Sequence, residues 1–404
     1  MLQQSRRSIL RNAVLGLGVA TTGCAGSSVD ERVDTKPPGS PPLDPDGEWP
    51  SYRFDAANTG ANLDGSGVRD GEQYWRLDAG GAATVSNGTL YNTRSRGEGA
   101  TKLTYRDPTT AAVTTRRSLV EYGVNPPPTV ADGCIFVNTF IEVFCFDAES
   151  GEQRWRGPAM NGIRGQPTVA DDLVFVATVG FDDARPQLRA FDAESGESVW
   201  QYDAADPATL TPAVADGLVF VGDVDGLHAV DSATGEAAYV AADAPSERGS
   251  PAVDAGTAYV VSETEAGSDL VAVTTDDGTV RWRTALDRSS ADVDPTPVVA
   301  GDVVYTLTDD GLTALDPSDG SVVVTNPERA WPVGRVGDVV YAAADGTVFA
   351  FDATAGLESL WSIQTEDVQV QDTAGRIVHH VTPVDGAVYV SARDAFHGIG
   401  PAGT

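Results

Sequence analysis

Short apolar runs alternate with polar turns through most of the chain, a strand pattern. Pro212-Ala213-Val214-Ala215-Asp216-Gly217-Leu218-Val219-Phe220-Val221 shows the unit. Val214 lies on a short strand. Asp216-Gly217 makes a tight turn, because glycine accepts the positive φ such turns demand. Leu218 to Val221 is a second strand of β-branched and aromatic residues. Asp225-Gly226 turns the chain again, and Leu227 to Val230 forms a third strand. Asp231 to Gly235 is a polar turn, where a short carboxylate bonds the backbone two residues on. A last strand ends at Tyr239.

The unit returns. Its second-strand aromatic falls at Tyr91, Phe136, Phe175, Phe220, Tyr259, Tyr305, Tyr341 and Tyr389, in steps of 45, 39, 45, 39, 46, 36 and 48 residues. Eight units of roughly forty residues match four-stranded propeller blades. An eleven-residue phrase, Ala190 to Trp200, recurs with them: Ala190, Asp192, Ser195, Gly196, Trp200. Cys145 to Trp155 repeats it with cysteine first, and Ala229 to Tyr239 with tyrosine last. Ala272, Gly278 and Trp282 carry a weaker copy with Thr274 in the aspartate place. Ala314, Asp316 and Gly320 carry another. In Ala350, Asp352 and Gly356 the aromatic, Trp361, comes one residue late.

The fold class expected is all-β: an eight-bladed β-propeller over residues 49–404. Trp75, Trp155, Trp200, Tyr239, Trp282 and Trp361 are expected to fill the wedges between blades. The last unit stops after Gly400 without its Gly-x-x-x-Trp half. That half stands alone near the beginning, at Gly71-Glu72-Gln73-Tyr74-Trp75. The N-terminal strand should therefore complete the eighth blade and remove an open edge.

The phrase resembles the tryptophan-docking motif of the PQQ-like, quinoprotein-type propellers, over about residues 50–400. Trp49-Pro50 with Arg53, Asp55 and Asn58-Thr59-Gly60 is similar to the lead-in that precedes such propellers. The family holds both dehydrogenases and non-enzymatic scaffolds, so the resemblance implies the fold and leaves the activity open.

Ser5-Arg6-Arg7-Ser8-Ile9-Leu10 resembles a twin-arginine export signal, with Arg6 and Arg7 as its pair. The apolar stretch Ala13 to Ala20 is too short to span a bilayer as a helix. Thr21-Thr22-Gly23-Cys24 resembles a lipobox, which implies lipidation of Cys24 after cleavage. Residues 24–48 are rich in Ser, Gly, Pro, Asp and Glu and read as a flexible tether.

Charge sets the habitat. The chain has 27 Lys+Arg against 59 Asp+Glu, a net charge of −32, and Lys36 and Lys102 are its only lysines. Losing the signal, with Arg6, Arg7 and Arg11, leaves the mature chain three charges more negative. Such self-repulsion is screened by salt. Acid excess with lysine depletion resembles salt-adapted, haloarchaeal-type proteins. No basic stripe exists to neutralise phosphates, so no nucleic acid partner is expected.

Candidate chemistry is thin. Cys134 and Cys145 lie on neighbouring strands of one unit, either as a cross-strand disulfide or as two small buried thiols. His228 sits among apolar residues and reads as a packing side chain. His379-His380 reads as a surface pair, since successive rings on a strand point in opposite directions. His397 completes the histidines. Asp292-Val293-Asp294 and Asp44-Pro45-Asp46-Gly47-Glu48 could touch a cation, but neither matches an EF-hand loop. No nucleophile elbow, P-loop or His-Glu-x-x-His motif stands out. No catalytic or metal residues are assigned, and no cofactor is expected. The resemblance keeps PQQ with Ca²⁺ as an alternative, in a dehydrogenase of alcohols or sugars.

The function expected is non-enzymatic binding or scaffolding by a monomer at the outer face of the cell membrane, with protein partners there. In mode it resembles the outer-membrane assembly lipoproteins of bacteria. Longer units at Gly180 to Gln187 and Glu263 to Asp269 should put larger loops on the disc.

Overall fold

The computed structural model describes residues 43–403 apart from 78–80, 95–101, 119–126, 159–161, 164, 181–184, 205–210, 247, 265–266, 287–293, 366–379 and 393–394. Arg6, Arg7, Cys24, Asp292 and His379 therefore lie outside the described residues. The described secondary structure is all strand, gathered into eight sheets that form the blades of a propeller. The four blade strands of each sheet pair antiparallel, with Ala61–Asn62 added in parallel to the sheet of residues 331–364. Numbered in chain order, seven blades span 83–118, 129–158, 168–203, 213–241, 248–285, 298–326 and 331–364. The eighth combines His380–Val384, Ala387–Ser391 and Phe396–Pro401 with Gly71–Leu77 from the N-terminal side, which pairs with Phe396–Pro401. The predicted strap thus closes the ring. Arg69 locks it further by pairing with Asp338 and Asp352 of blade seven.

Blade four follows the sequence reading closely, with strands Ala213–Ala215, Leu218–Asp223, Gly226–Asp231 and Ala237–Ala241. Asp216 and Gly217 both take positive φ, 51° and 76°, the signature of a tight hairpin turn. In every blade the register between the third and outer strands shifts beside the docking position. Such a bulge re-aims one side chain out of the sheet. Here it turns the aromatic toward the next blade.

The docking contacts run round the ring. Trp155 Nε1 donates to Ala193 O at 2.8 Å, Trp200 Nε1 to Ser232 O at 2.9 Å and Trp282 Nε1 to Pro317 O at 2.9 Å. Tyr239 Oη donates to Thr275 O at 2.8 Å, Trp361 Nε1 to Val68 O at 2.7 Å and Trp75 Nε1 to Thr109 O at 3.1 Å. Each ring of the first four lies flat on the motif glycine of its neighbour: Gly196, Gly235, Gly320 and, under Tyr239, Gly278. Two blades substitute. Arg117 of blade one donates to Gly151 O at 2.9 Å, and Asn326 of blade six to Leu357 O at 2.7 Å. Blade six has Val324, and blade one Thr115, where the other six have an aromatic. The extra residue in blade seven, Leu357, is 1% exposed and packs beside Val324 in the same cluster. The late position of Trp361 is thus explained: the inserted leucine fills the slot that a missing tryptophan leaves.

The aspartates of the phrase hold the turns. Asp147, Asp192 and Asp231 each accept from the backbone N–H and hydroxyl of Ser150, Ser195 and Thr234. Asp107 does the same for Thr110 in blade one. That copy escapes sequence inspection because Ala111 stands in the glycine place, at φ 59°.

Cys134 and Cys145 are joined in the structure, with Cα atoms 5.8 Å apart. Two expectations change. Glu263 to Asp269 is not a broad loop: Ser262, Glu263 and Thr264 pair with Asp269, Ser268 and Gly267 and lengthen the hairpin of blade five. The end of the tether, residues 43–48, packs on the propeller rather than standing off it. Leu43 is 1% exposed against Gly400, Asp46 N bonds Asp385 O, and Glu48 accepts from Asn87 N.

Candidate functional site at the propeller axis

The inner strand of each blade would leave a row of unpaired N–H groups around the axis, and buried donors need partners. The lead-in supplies them. Trp49 exchanges both backbone bonds with Val85 of blade one. Pro50 O accepts from Val130 N at 2.8 Å, Ala56 O from Val214 N at 2.7 Å, and Ala57 O from Val253 N at 2.8 Å. Thr59 O accepts from Val299 N at 2.7 Å, and Gly60 O from Arg335 N at 2.8 Å. These donors occupy the same register position in blades one, two, four, five, six and seven, each following the residue paired with the marker aromatic. In blade eight that position is Pro383, which has no N–H. Residues 49–60 therefore circle the axis like a plug. Arg53, Phe54, Asn58 and Gly60 all take positive φ to make the tight path.

Side chains of the plug reach the heads of the inner strands. Asn58 Nδ2 donates to Thr211 O, Pro212 O and Pro251 O at 3.3, 3.2 and 2.9 Å. Arg53 Nη1 donates to Pro332 O at 3.0 Å, and its Nη2 lies 3.9 Å from Asp294 Oδ2. Tyr52 Oη donates to Asp294 and lies 3.0 Å from Thr296 Oγ1. Thr296 Oγ1 in turn bonds Asp294 Oδ1 at 2.6 Å. Strand heads are also tied to one another: Gln166 N to Thr211 Oγ1, Thr211 N to Ser250 Oγ and Ser250 N to Thr296 Oγ1, at 3.1, 3.1 and 2.7 Å. Thr382, Thr84, Thr129 and Thr168 carry the chain round the other half, each bonding a carbonyl of the following blade.

Electrostatics follow from burial. The Tyr52 phenol is pushed well above its usual range by desolvation and then by Asp294. His380, half-buried at the head of blade eight, is pushed down to about 4 by burial and by Arg53, with Asp294 opposing. It is neutral at pH 7. The cluster presents a phenol, a guanidinium, a carboxylate and a neutral imidazole at one end of a closed axis. Both Asp294 oxygens are already engaged by the chain's own donors. Ca²⁺ takes six to eight oxygens, and among the described residues no group of three or more His, Cys, Asp or Glu converges. The described axis does not fit a quinone-bound calcium.

The sequence candidates separate. Trp75, Trp155, Trp200, Tyr239, Trp282 and Trp361 lie between blades, away from the axis. Asp294 and His380 come together there with Tyr52 and Arg53, whereas the sequence offered Asp294 as part of an acidic segment that could touch a cation and His380 as half of a surface pair. His228 is buried, as expected of a packing residue, but holds polar contacts to Tyr202 and Asp223. His397 Nδ1 meets Gln73 Oε1 at 3.0 Å. Gln166, Thr211, Ser250 and Thr296 were missed. One signal could have found them: each precedes a proline at the head of an inner strand.

A family model described as outer membrane protein assembly factor BamB matches residues 62–214 and 187–399. A search of curated proteins found no match. Among solved structures, a europium-containing methanol dehydrogenase superposes with TM-score 0.63 at 13% identity, covering 88% of this chain and 98% of that one. BamB from Moraxella catarrhalis superposes with TM-score 0.61 at 18% identity, covering 82% and 99%. The quinohemoprotein alcohol dehydrogenase from Comamonas testosteroni gives 0.62 at 14% identity, covering 90% and 82%. At these identities the likeness is one of fold.

Proposed function

Because the chain belongs to the family described as outer membrane protein assembly factor BamB, we propose that it is a non-enzymatic binding or scaffold module acting outside the cytoplasm. In this reading Arg6 and Arg7 direct export and a lipid on Cys24 holds the propeller at the outer face of a membrane, where the monomer organises protein partners. The observation that carries the reading is the plugged axis. The chain fills its own inner ring with backbone and side-chain bonds from residues 49–60, and its axial carboxylate, Asp294, is spent on Tyr52, Thr296 and Arg53. A rigid disc built this way offers two loop-bearing faces for partners.

A quinoprotein dehydrogenase of alcohols or sugars is the second reading, favoured by the fold shared with the methanol and alcohol dehydrogenases. The donor set at the described axis speaks against it. The test is to fractionate cells expressing the full chain and its Cys24→Ser variant, then cross-link intact cells. The scaffold reading expects the wild type with membranes, the variant in the medium, and discrete protein adducts on the wild type. Wild-type protein free in the medium, or no adduct at any cross-linker length, would contradict it.

A further inference from the structure

A second polar cluster lies away from the axis, where the outer strand of blade three meets blade four. Tyr202 Oη and His228 Nδ1 are 2.8 Å apart. His228 Nε2 lies 2.8 Å from Asp223 Oδ1, a close approach without straight hydrogen-bond geometry. Asp223 is fully buried and His228 is 5% exposed, while Tyr202 is half-buried. The Asp223 carboxylate is fixed by the hairpin it begins: its Oδ1 accepts from Asp225 N at 2.7 Å and Gly226 N at 3.2 Å.

The contacts assign the roles. A neutral imidazole has one lone-pair nitrogen and one N–H. The side facing the carboxylate takes the N–H, so Nδ1 holds the lone pair and the phenol donates to it. Burial first, then the Asp223 charge, raises the Tyr202 phenol, so a free phenolate is disfavoured. A proton passed to His228, by contrast, creates an imidazolium 2.8 Å from a buried carboxylate, and opposite charges in a poorly solvated site attract strongly.

We infer that Tyr202 is a redox-active tyrosine that gives one electron to an outer-sphere one-electron oxidant while its phenolic proton moves to His228. The Oη–H bond breaks and an N–H bond forms at Nδ1. The oxidant is reduced by one electron. The products are a neutral tyrosyl radical and an imidazolium paired with Asp223; one electron from an outer-sphere one-electron reductant, with the proton returned from Nδ1 to Oη, restores the tyrosine. The other tyrosines whose contacts are described lack this arrangement. Tyr74, Tyr239 and Tyr389 donate to backbone carbonyls, which cannot take the proton. Tyr305 faces the Arg335 guanidinium. Tyr52 donates to the Asp294 carboxylate, and a carboxylate is ordinarily a weaker base than an imidazole.

The inference stands apart from the scaffold reading and is tested with the mature chain in molar salt, using hexachloroiridate(IV) as oxidant. Freeze-quenched paramagnetic resonance reads the radical, and peptide mapping by mass spectrometry reads its position. A tyrosyl signal is expected in the wild type and lost in Tyr202→Phe, which removes one hydroxyl from a half-buried ring. His228→Phe should slow formation by about 100-fold, the lower end of what a positioned base supplies. Its residual rate should rise with pH, because solvent base must then take the proton. Asp223→Asn keeps the shape and should lower the yield, and it decides the matter if His228→Phe does not fold. A signal unchanged in Tyr202→Phe, or rates in both relay variants equal to wild type, would overturn the inference.

Discussion

Gly217 and Gly235 lie in one blade with nearly the same backbone, φ 76° and 74°. Their surroundings differ. A Cβ on Gly217 would meet nothing within 4 Å, whereas one on Gly235 would lie 2.7 Å from Trp200 Cδ2 and 2.8 Å from its Cγ. Gly217→Ala therefore carries the left-handed strain alone, about 1–2 kcal/mol. Gly235→Ala carries the same strain plus displacement of a docked indole, about 1–3 kcal/mol more. Trp200→Ala costs about 3 kcal/mol, the low end for a large aromatic, since the ring is half-buried. In that background the clash is gone, and Gly235→Ala should again cost only about 1–2 kcal/mol. Urea unfolding in molar salt, followed by circular dichroism, measures all four chains. Equal losses for Gly217→Ala and Gly235→Ala, or a Gly235→Ala loss unchanged by removing Trp200, would refute docking of the indole on the glycine as the source of blade cohesion.

Leu357→Ala should cost about 2–4 kcal/mol in the same assay, because no aromatic from blade six can fill the slot it empties. Asn58→Asp should be worse than Asn58→Ala, since it aims a carboxylate at the carbonyls of Thr211, Pro212 and Pro251, and thermal melts will rank the two. His380 is held at about 4 in the fold against about 6.5 unfolded, so only the unfolded chain takes up its proton as pH falls through that window. Stability should decline from pH 6.5 toward 4, and His380→Gln should remove that part of the slope in urea midpoints. Asp147, Asp192 and Asp231 are held below their usual range, first by the backbone bond of Ser150 and by the hydroxyls of Ser195 and Thr234. Their contribution is complete above about pH 4 and is lost as pH falls further, which a second, lower-pH decline in the same titration should reveal.

The blades were legible because each must solve the same packing problem, so Asp-Gly turns, marker aromatics and docking tryptophans recur at a period. The strap was legible for a related reason: half a blade was missing at one end and spare at the other. Departures from the period were harder to read. Ala111 hides a docking turn because its left-handed backbone is not apparent from the residue type. Leu357 makes sense only beside Val324, a neighbour in the next-lower blade rather than in its own. The axial plug has no period at all. Its residues are chosen for single contacts with different blades, and Tyr52, Arg53 and Asn58 meet partners between 153 and 279 positions away. Likewise, the Tyr202–His228–Asp223 relay joins two blades through residues that look unremarkable in their own units.

The central claim is that this propeller serves by holding partners rather than by quinone chemistry. Calorimetric titration of PQQ with Ca²⁺ into the mature chain in molar salt, with tryptophan quenching read alongside, tests it most directly. The account predicts no saturable heat and no quenching from a chain whose circular dichroism confirms the fold. Saturable binding at micromolar concentration or below would contradict it.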